Sequence, residues 1–227
     1  MQAIYEVFNY FVFSLKRRGF RETVKIFRLK INNRYFDWRY GIDTASGVSL
    51  RDLAFMHPNK SDGNEYGTVP PYLLKKILDR VTCGQSDVFL DFGSGKGRVL
   101  LIASQYKFQK IIGIEFSPEL VDIALKNIAI CKDYNNFDID RIKIINEDIL
   151  DYKYNNDETV FYLFNPFSNI ILEELCDQIM KSIHSKPRKV YIIYVNPIFD
   201  NIIVANRFKK IDEINLINKM CYVYSNE

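Results

Sequence analysis

Apolar positions along the chain follow two alternating rhythms. Continuous apolar runs of strand length occupy 87–92, 110–115, 141–146, 159–164 and 189–195, and each is followed by acids, glycines, amides or prolines. Between them the apolar residues recur three and four apart: Val99 to Ala103, then Leu120, Ile123, Ala124 and Ile128, then 170–183. A short continuous run reads as a strand buried on both faces, and the wider spacing reads as one face of a helix. Ser117-Pro118-Glu119 is a helix start, with a capping oxygen, a preset φ and an acid in the first turn. Leu73, Leu74, Ile77 and Leu78 share one face of a helix expected over 72–81, with Pro71 in its first turn. Two further strands, 208–216 and 220–224, flank Asn218, and so short a connection predicts an antiparallel pair. The pattern predicts an α/β three-layer sandwich: a mostly parallel seven-stranded sheet with an antiparallel C-terminal strand, helices on both faces.

The first third of the chain has another character. Ile4, Val7, Phe8, Phe11, Val12 and Leu15 keep helical spacing, Gly19 predicts a break, and Val24, Phe27, Leu29 and Ile31 begin a second helical pattern interleaved with Arg21, Lys25, Arg28 and Lys30. Two readings stand: a helical arm packed on the main domain, or an interfacial helix with peripheral contact to a membrane or an acidic partner. The segment 34–44 holds the sole Trp and several paired charges, and reads as a loop. It either folds over a pocket as a lid, through Tyr35 to Tyr40 and on to Thr44, or packs the arm onto the domain. The division expected is 1–64 for the arm and substrate-side lid, and 65–227 for the main domain. The apolar stretch from Phe8 to Leu15 is too short for a bilayer and lacks the marks of a signal peptide.

Composition narrows the setting. With 48% apolar residues the chain can bury a sizeable core, and a net charge of +3 does not call for nucleic acid as a partner. Cys83, Cys131, Cys176 and Cys221 lie far apart with no C-x-x-C spacing, which fits reduced thiols in a cytoplasmic protein, with membrane association the alternative, and gives no metal site.

The chemistry gathers after the strands, where open parallel sheets bind ligands. The first strand runs into Asp91-Phe92-Gly93-Ser94-Gly95-Lys96-Gly97 and then a helix. Glycine at alternate positions lets a ligand lie against the backbone. A P-loop needs G-x-x-x-x-G-K-[ST], but Leu90 takes the first glycine's place and Gly97 follows Lys96. A dinucleotide loop needs G-x-G-x-x-G, but here Arg98 stands where its third glycine would be. Asp91 would also repel a pyrophosphate. A cationic, ribose-bearing ligand survives. Asp91 suits an ammonium or sulfonium, and Glu115 can accept ribose hydroxyls. Asp148 and Ile149 can hold an adenine by its amino group and ring face. That description fits S-adenosylmethionine. Lys96 and Arg98 read as solvent-facing, without a role.

The ordered set Asp91-Phe-Gly-Ser-Gly-Lys-Gly97, Ile112-Gly-Ile-Glu115, Glu147-Asp148 and Asn165-Pro-Phe167 resembles the class I S-adenosylmethionine-dependent methyltransferases, which have a Rossmann-like fold. Within that class, Glu65-Tyr66-Gly67 and the Asn followed closely by Phe after the fourth strand resemble the non-SET histone lysine methyltransferases, the disruptor-of-telomeric-silencing type. The resemblance implies a donor site of Tyr66, Gly67, Thr68, Asp91, Gly93, Ser94, Gly95, Gly97, Glu115, Phe116, Asp148, Ile149 and Asn165. It also implies a catalytic motif of Asn165, Pro166 and Phe167 that aims an amine at the methyl. The chain has Asn-Pro-Phe and lacks a long basic extension, which speaks against a nucleosomal substrate. An O-methyltransferase acting on a sugar or small-molecule hydroxyl is the alternative, and would need a general base from His57, His184 or an acid such as Asp43. A cofactor-binding scaffold without turnover is a further one. Each residue also has a plain structural alternative: turn caps for Asp91, Asp148 and Asn165, a solvated strand end for Glu115.

Overall fold

The structure is a computed structural model that describes residues 2–46, 68–81, 84–164, 167–216 and 219–227. Seven strands form one sheet: β1 (Val88–Phe92), β2 (Lys110–Glu115), β3 (Ile142–Asn146), β4 (Glu158–Phe164), β5 (Tyr191–Val195), β6 (Lys209–Asn215) and β7 (Met220–Ser225). Their spatial order is β3-β2-β1-β4-β5-β7-β6. Every pairing from β3 to β5 is parallel, and β7 is antiparallel to both β5 and β6. β7 is thus the one reversed strand, as the short connection at Asn218 predicts. β1 is buried along its whole length, as a central parallel strand must be.

Among the described residues six α-helices accompany the sheet: α1 (Gln2–Tyr40), α2 (Pro71–Leu78), α3 (Arg98–Ala103), α4 (Pro118–Cys131), α5 (Asn169–Ser185) and α6 (Asp200–Ala205). Two cores result, one on each face. Phe89, Ile111, Val160, Tyr162 and Ile193 meet α2, α3, the end of α4 and the second half of α1. Leu90, Ile112, Phe161, Ile192 and Tyr224 meet α5, α6 and the connection carrying Ile149 and Tyr152. α6, only six residues long, was not anticipated from the pattern.

The helix starts behave as read. Ser117 accepts a hydrogen bond from the Leu120 N–H at 3.3 Å, and Pro118 is the first residue of α4. α2 begins at Pro71 and stops at Leu78, three residues short of expectation.

The arm corrects the sequence reading. Residues 34–40 are not a loop but the last turns of α1, which is kinked at Gly19 (φ 78°, ψ 169°), a conformation essentially restricted to glycine. Gly41 (φ 67°) then ends the helix, and the Ile42 N–H donates to the Asp37 carbonyl at 3.0 Å. This is a left-handed glycine C-cap, with Ile42 buried behind it. The density of aromatics at 35–40 masked that signature. Trp38 is 78% exposed, whereas Phe36 is buried.

The order of strands reverses between β1 and β4, so the residues leaving their carboxyl ends flank one crevice. Phe92 pairs with Leu163 across it. The glycine loop after β1 and the motif after β4 are therefore neighbours by topology.

Candidate active site

The glycine loop turns sharply because three residues are left-handed: Gly93 (φ 78°), Gly95 (φ 53°) and Gly97 (φ 82°). Any side chain would be strained at each of them. The Gly93 and Ser94 N–H groups both donate to the Ile114 carbonyl, at 2.9 and 3.0 Å, which folds the loop over the end of β2. Gly113 permits that approach. A Cβ there would lie 2.6 Å from Leu100 Cδ1 and 2.7 Å from Ser94 Oγ. Gly97 likewise lets α4 come close, its absent Cβ standing 3.2 Å from that of Ala124.

Two acids sit beneath the loop. Asp91 is 2% exposed, and its Oδ2 has no hydrogen-bond partner among the described residues; the same holds for Ser94 Oγ and, on the neighbouring strand, the Tyr162 hydroxyl. Burial, and secondarily the Glu115 charge, pushes the Asp91 carboxyl well above the usual range. Glu115 is also buried. Its Oε2 accepts from the Gly95 N–H at 2.9 Å and its Oε1 from the Ser117 N–H at 3.0 Å. Burial raises it to about 6, and those backbone bonds, with another from Phe116, hold it from rising further. A buried carboxylate oxygen without a donor is costly unless a ligand supplies one. The pair is suited to a cation and hostile to a phosphate. Glu115 is thus no solvated strand end. It braces the loop, and three backbone N–H bonds still leave its carboxylate able to accept from a ligand hydroxyl.

The other expected donor residues divide. Asp148 Oδ1 accepts from the Leu150 N–H at 2.9 Å and so caps the turn after β3. Ile149 is 6% exposed and packs in the core with Tyr152. Phe116 is half-buried just beyond Glu115. The Thr68 hydroxyl donates to the Val69 carbonyl at 3.4 Å. Tyr66, Gly67, Asn165 and Pro166 lie outside the described residues, as do His57 and Cys83. Phe167 is half-buried against the core on the α5 side.

Lys219 was not singled out in the sequence. Its ammonium lies 4.3 Å from the centre of the Phe164 ring, next to the motif that begins at Asn165, and burial pulls its pKa down. No carboxylate pairs with it among the described residues. A lysine in a hairpin turn carries no distinguishing pattern in the sequence.

Lys96 and Arg98 overturn their reading as solvent-facing residues. They are 1% and 2% exposed. Lys96 Nζ pairs with Asp43 at 2.8 Å, and Arg98 Nη2 with Asp37 at 3.1 Å. Both partners come from the arm, 53 and 61 residues away in sequence, so local composition gave no warning.

For a hydroxyl acceptor, two of the three candidate bases are described. His184 is exposed in the last turn of α5, which returns to the amino ends of the strands. Burial pushes Asp43 up, but hydrogen bonds from Lys96 and Ser46 outweigh it and leave a net lowered pKa. Neither is placed as a proton acceptor.

No described helix is long and apolar enough to cross a membrane.

Comparison with known proteins agrees with this geometry. A Caenorhabditis elegans "Histone-lysine N-methyltransferase, H3 lysine-79 specific" is 37% identical over 62 residues, 27% of this chain and 7% of that protein. A Clostridium perfringens "Ribosomal protein L11 methyltransferase" is 29% identical over 112 residues, 48% of this chain and 32% of that one. The chain therefore spans at most a third of the length of these two relatives. Among solved structures, an RNA methyltransferase from Salinibacter ruber, determined with S-adenosyl-L-homocysteine, superimposes with a TM-score of 0.51 at 18% identity, covering 70% of this chain and 93% of its own. That likeness shows the fold, a Rossmann-like methyltransferase sandwich. The family described as "Histone methylation protein DOT1" matches residues 52–172, more than half of the 227, from before α2 through the glycine loop and both acids to the start of α5, and the chain belongs to that family.

Proposed function

We propose that the chain is a methyltransferase that takes its methyl group from S-adenosylmethionine and delivers it to an amine of a protein. The observation that carries the donor half is the buried acid pair under three left-handed glycines, with Asp91 Oδ2 unpartnered. Asp91 would hold the ammonium of the methionine part, Glu115 the ribose hydroxyls, and the turn Gly93 to Gly97 would offer the side-chain-free surface on which the donor lies. Phe116, Asp148 and Ile149 would meet the adenine, and Tyr66 to Thr68 would close over the methionine end. When bound, the donor supplies an electrophilic methyl group on a sulfonium.

The acceptor half draws on the relatives' names, of which two denote protein methyltransferases, and on the Asn165-Pro166-Phe167 motif leaving β4. Asn165 would accept an N–H bond from the acceptor amine through its side-chain oxygen and aim the lone pair at the methyl. Pro166 would fix the turn, and Phe167 would exclude water. Positioning of this kind supplies much of the rate in a simple displacement. We keep the division expected from the sequence, an arm and substrate-side lid over 1–64 and a donor-binding domain over 65–227, as part of the proposal.

The test is calorimetry with S-adenosylmethionine, followed by transfer of labelled methyl into fractionated cell extract. Asp91→Asn should weaken donor binding by about tenfold or more, since it removes the charge that meets the cation. Asn165→Ala should lower turnover more than donor affinity. Label appearing on a sugar or small-molecule hydroxyl would displace the amine reading, and donor binding without any turnover would make the chain a scaffold.

A further inference from the structure

The two cations of the glycine loop point away from its acids. Lys96 and Arg98 flank Gly97, yet neither pairs with Asp91 or Glu115; both reach into the arm. The Arg98 guanidinium is held on every side. Its Nε donates to Thr44 Oγ1 at 2.7 Å, Nη1 to Asn33 Oδ1 at 2.5 Å, and Nη2 to Asp37 Oδ1 at 3.1 Å. Its plane lies 5.7 Å from the Phe36 ring centre. Asp37 in turn gathers the strap that follows α1: its Oδ2 accepts from the Thr44 and Ala45 N–H groups at 2.7 and 2.6 Å, and its Oδ1 accepts from the Thr44 hydroxyl at 2.6 Å. Lys96 Nζ donates to Asp43 and to Ser46.

A third contact joins the same parts through their backbones. Asn127 of α4 donates from Nδ2 to the Lys96 carbonyl at 3.0 Å and to the Asp43 carbonyl at 2.8 Å, while its Oδ1 accepts from the Asp43 N–H at 2.9 Å. One buried amide therefore grips the glycine loop and the strap together. Lifting the strap would take the Asp37 and Asp43 carboxylates from two buried cations and two of these three bonds from a buried amide. Such groups are expensive to strand. The loop between them holds Gly95 and Gly97 in left-handed conformations.

We propose that Lys96 and Arg98 are positioning residues for the donor: through Asp43 and Asp37 they make residues 33–46 part of the donor site, and the glycine loop keeps its ligand-receiving shape only with this strap docked. The inference rests on the donor-site reading above. It adds that the arm acts on donor affinity without touching the donor. Anything that engages the arm on its acceptor side then biases the donor loop, because a coupling between sites is reciprocal.

The experiment is titration of the full chain with S-adenosyl-L-homocysteine by calorimetry, beside thermal melts. Asp43 is half-exposed, so Asp43→Asn should lower the melting temperature but leave a folded protein, and weaken binding several-fold. Asp37→Asn and Arg98→Gln should each weaken it by about tenfold or more, and the double variant no further than the worse single one, as residues acting through one contact do. Arg98→Lys should recover part of the loss. In turnover, the donor KM should rise while kcat stays near wild type. Lowered melting with unchanged Kd would make the node a fold clamp only and overturn the proposal, as would additive losses in the double variant. If Arg98 variants fail to fold, Asp43→Asn decides alone. Absence of binding by the wild-type chain would sink the donor-site reading itself, and this inference with it.

Discussion

Asp91 and Glu115 are two carboxyls buried a short distance apart, and their titration gives the first prediction. Glu115 rises from 4.5 to about 6 on folding, chiefly by burial, and Asp91 shifts in the same direction. An acid with a raised folded pKa favours the folded state fully below its unfolded value and loses that contribution as pH climbs through the folded one. For Glu115 the loss amounts to roughly 2 kcal/mol between about pH 4.5 and pH 6. A cationic donor favours the ionised forms, so it should bind with release of protons near pH 6, and its affinity should fall below that pH. Calorimetry in buffers of different ionisation enthalpy reads both effects, and Glu115→Gln should flatten the profile if it still binds. An affinity independent of pH between about 5 and 8 would remove the acid pair from the donor site. The acidity of these two positions was readable from their place at the ends of β1 and β2. The opposite fate of Lys96 and Arg98 was not, because a charged side chain beside a glycine turn is ordinarily solvated, and only a partner brought from the arm makes burial affordable.

At the scale of elements, β2 and the loop after β1 are fitted to one another through Gly113. Gly113→Ala would place a methyl 2.6 Å from Leu100 Cδ1 and 2.8 Å from Ser94 Cβ. We expect a loss of about 1–3 kcal/mol from overpacking, seen as a lowered melting temperature, together with weaker donor binding because Ser94 must move. A wild-type melting curve would mean that α3 and the loop shift freely, against the hydrogen bonds that tie the loop to Ile114. Strand and helix identities were legible here because period and punctuation agree: apolar runs closed by acids or amides, Ser-Pro-Glu before α4, Gly19 at the kink of α1. The end of α1 was legible in principle, through Gly41 followed by the apolar Ile42, but the aromatic and charged content of 34–40 suggested a loop. Composition outweighed capping in that reading, and capping proved the better guide.

For the whole molecule, the two cores enclose the described cysteines. Cys131, Cys176 and Cys221 are buried, and burial pushes each thiol up to about 12. In a Cys83→Ser background these three should resist a thiol reagent in the native protein and react together as the molecule unfolds, since the thiolate is the reactive species. Fast labelling of any of them at neutral pH would show that one core opens locally. The same architecture brings distant sequence together. The strand order reverses between β1 and β4, so the carboxyl ends of these two strands flank one crevice although some seventy residues separate them.

The sequence by itself determined the sheet, the helices on both faces, the reversed last strand and the acids at the strand ends. All of these follow from local period and from residues that sit where strands end. Tertiary structure alone decided that the arm is bound into the donor loop through Asp37, Arg98, Asp43, Lys96 and Asn127. Ion pairs and amide clamps between residues 31 to 84 positions apart leave no periodic trace, because each partner taken singly looks like an ordinary surface residue. The turn Gly93 to Gly97 was read as a ligand cradle, and the folded chain ties it by hydrogen bonds to Ile114, Glu115 and Asn127.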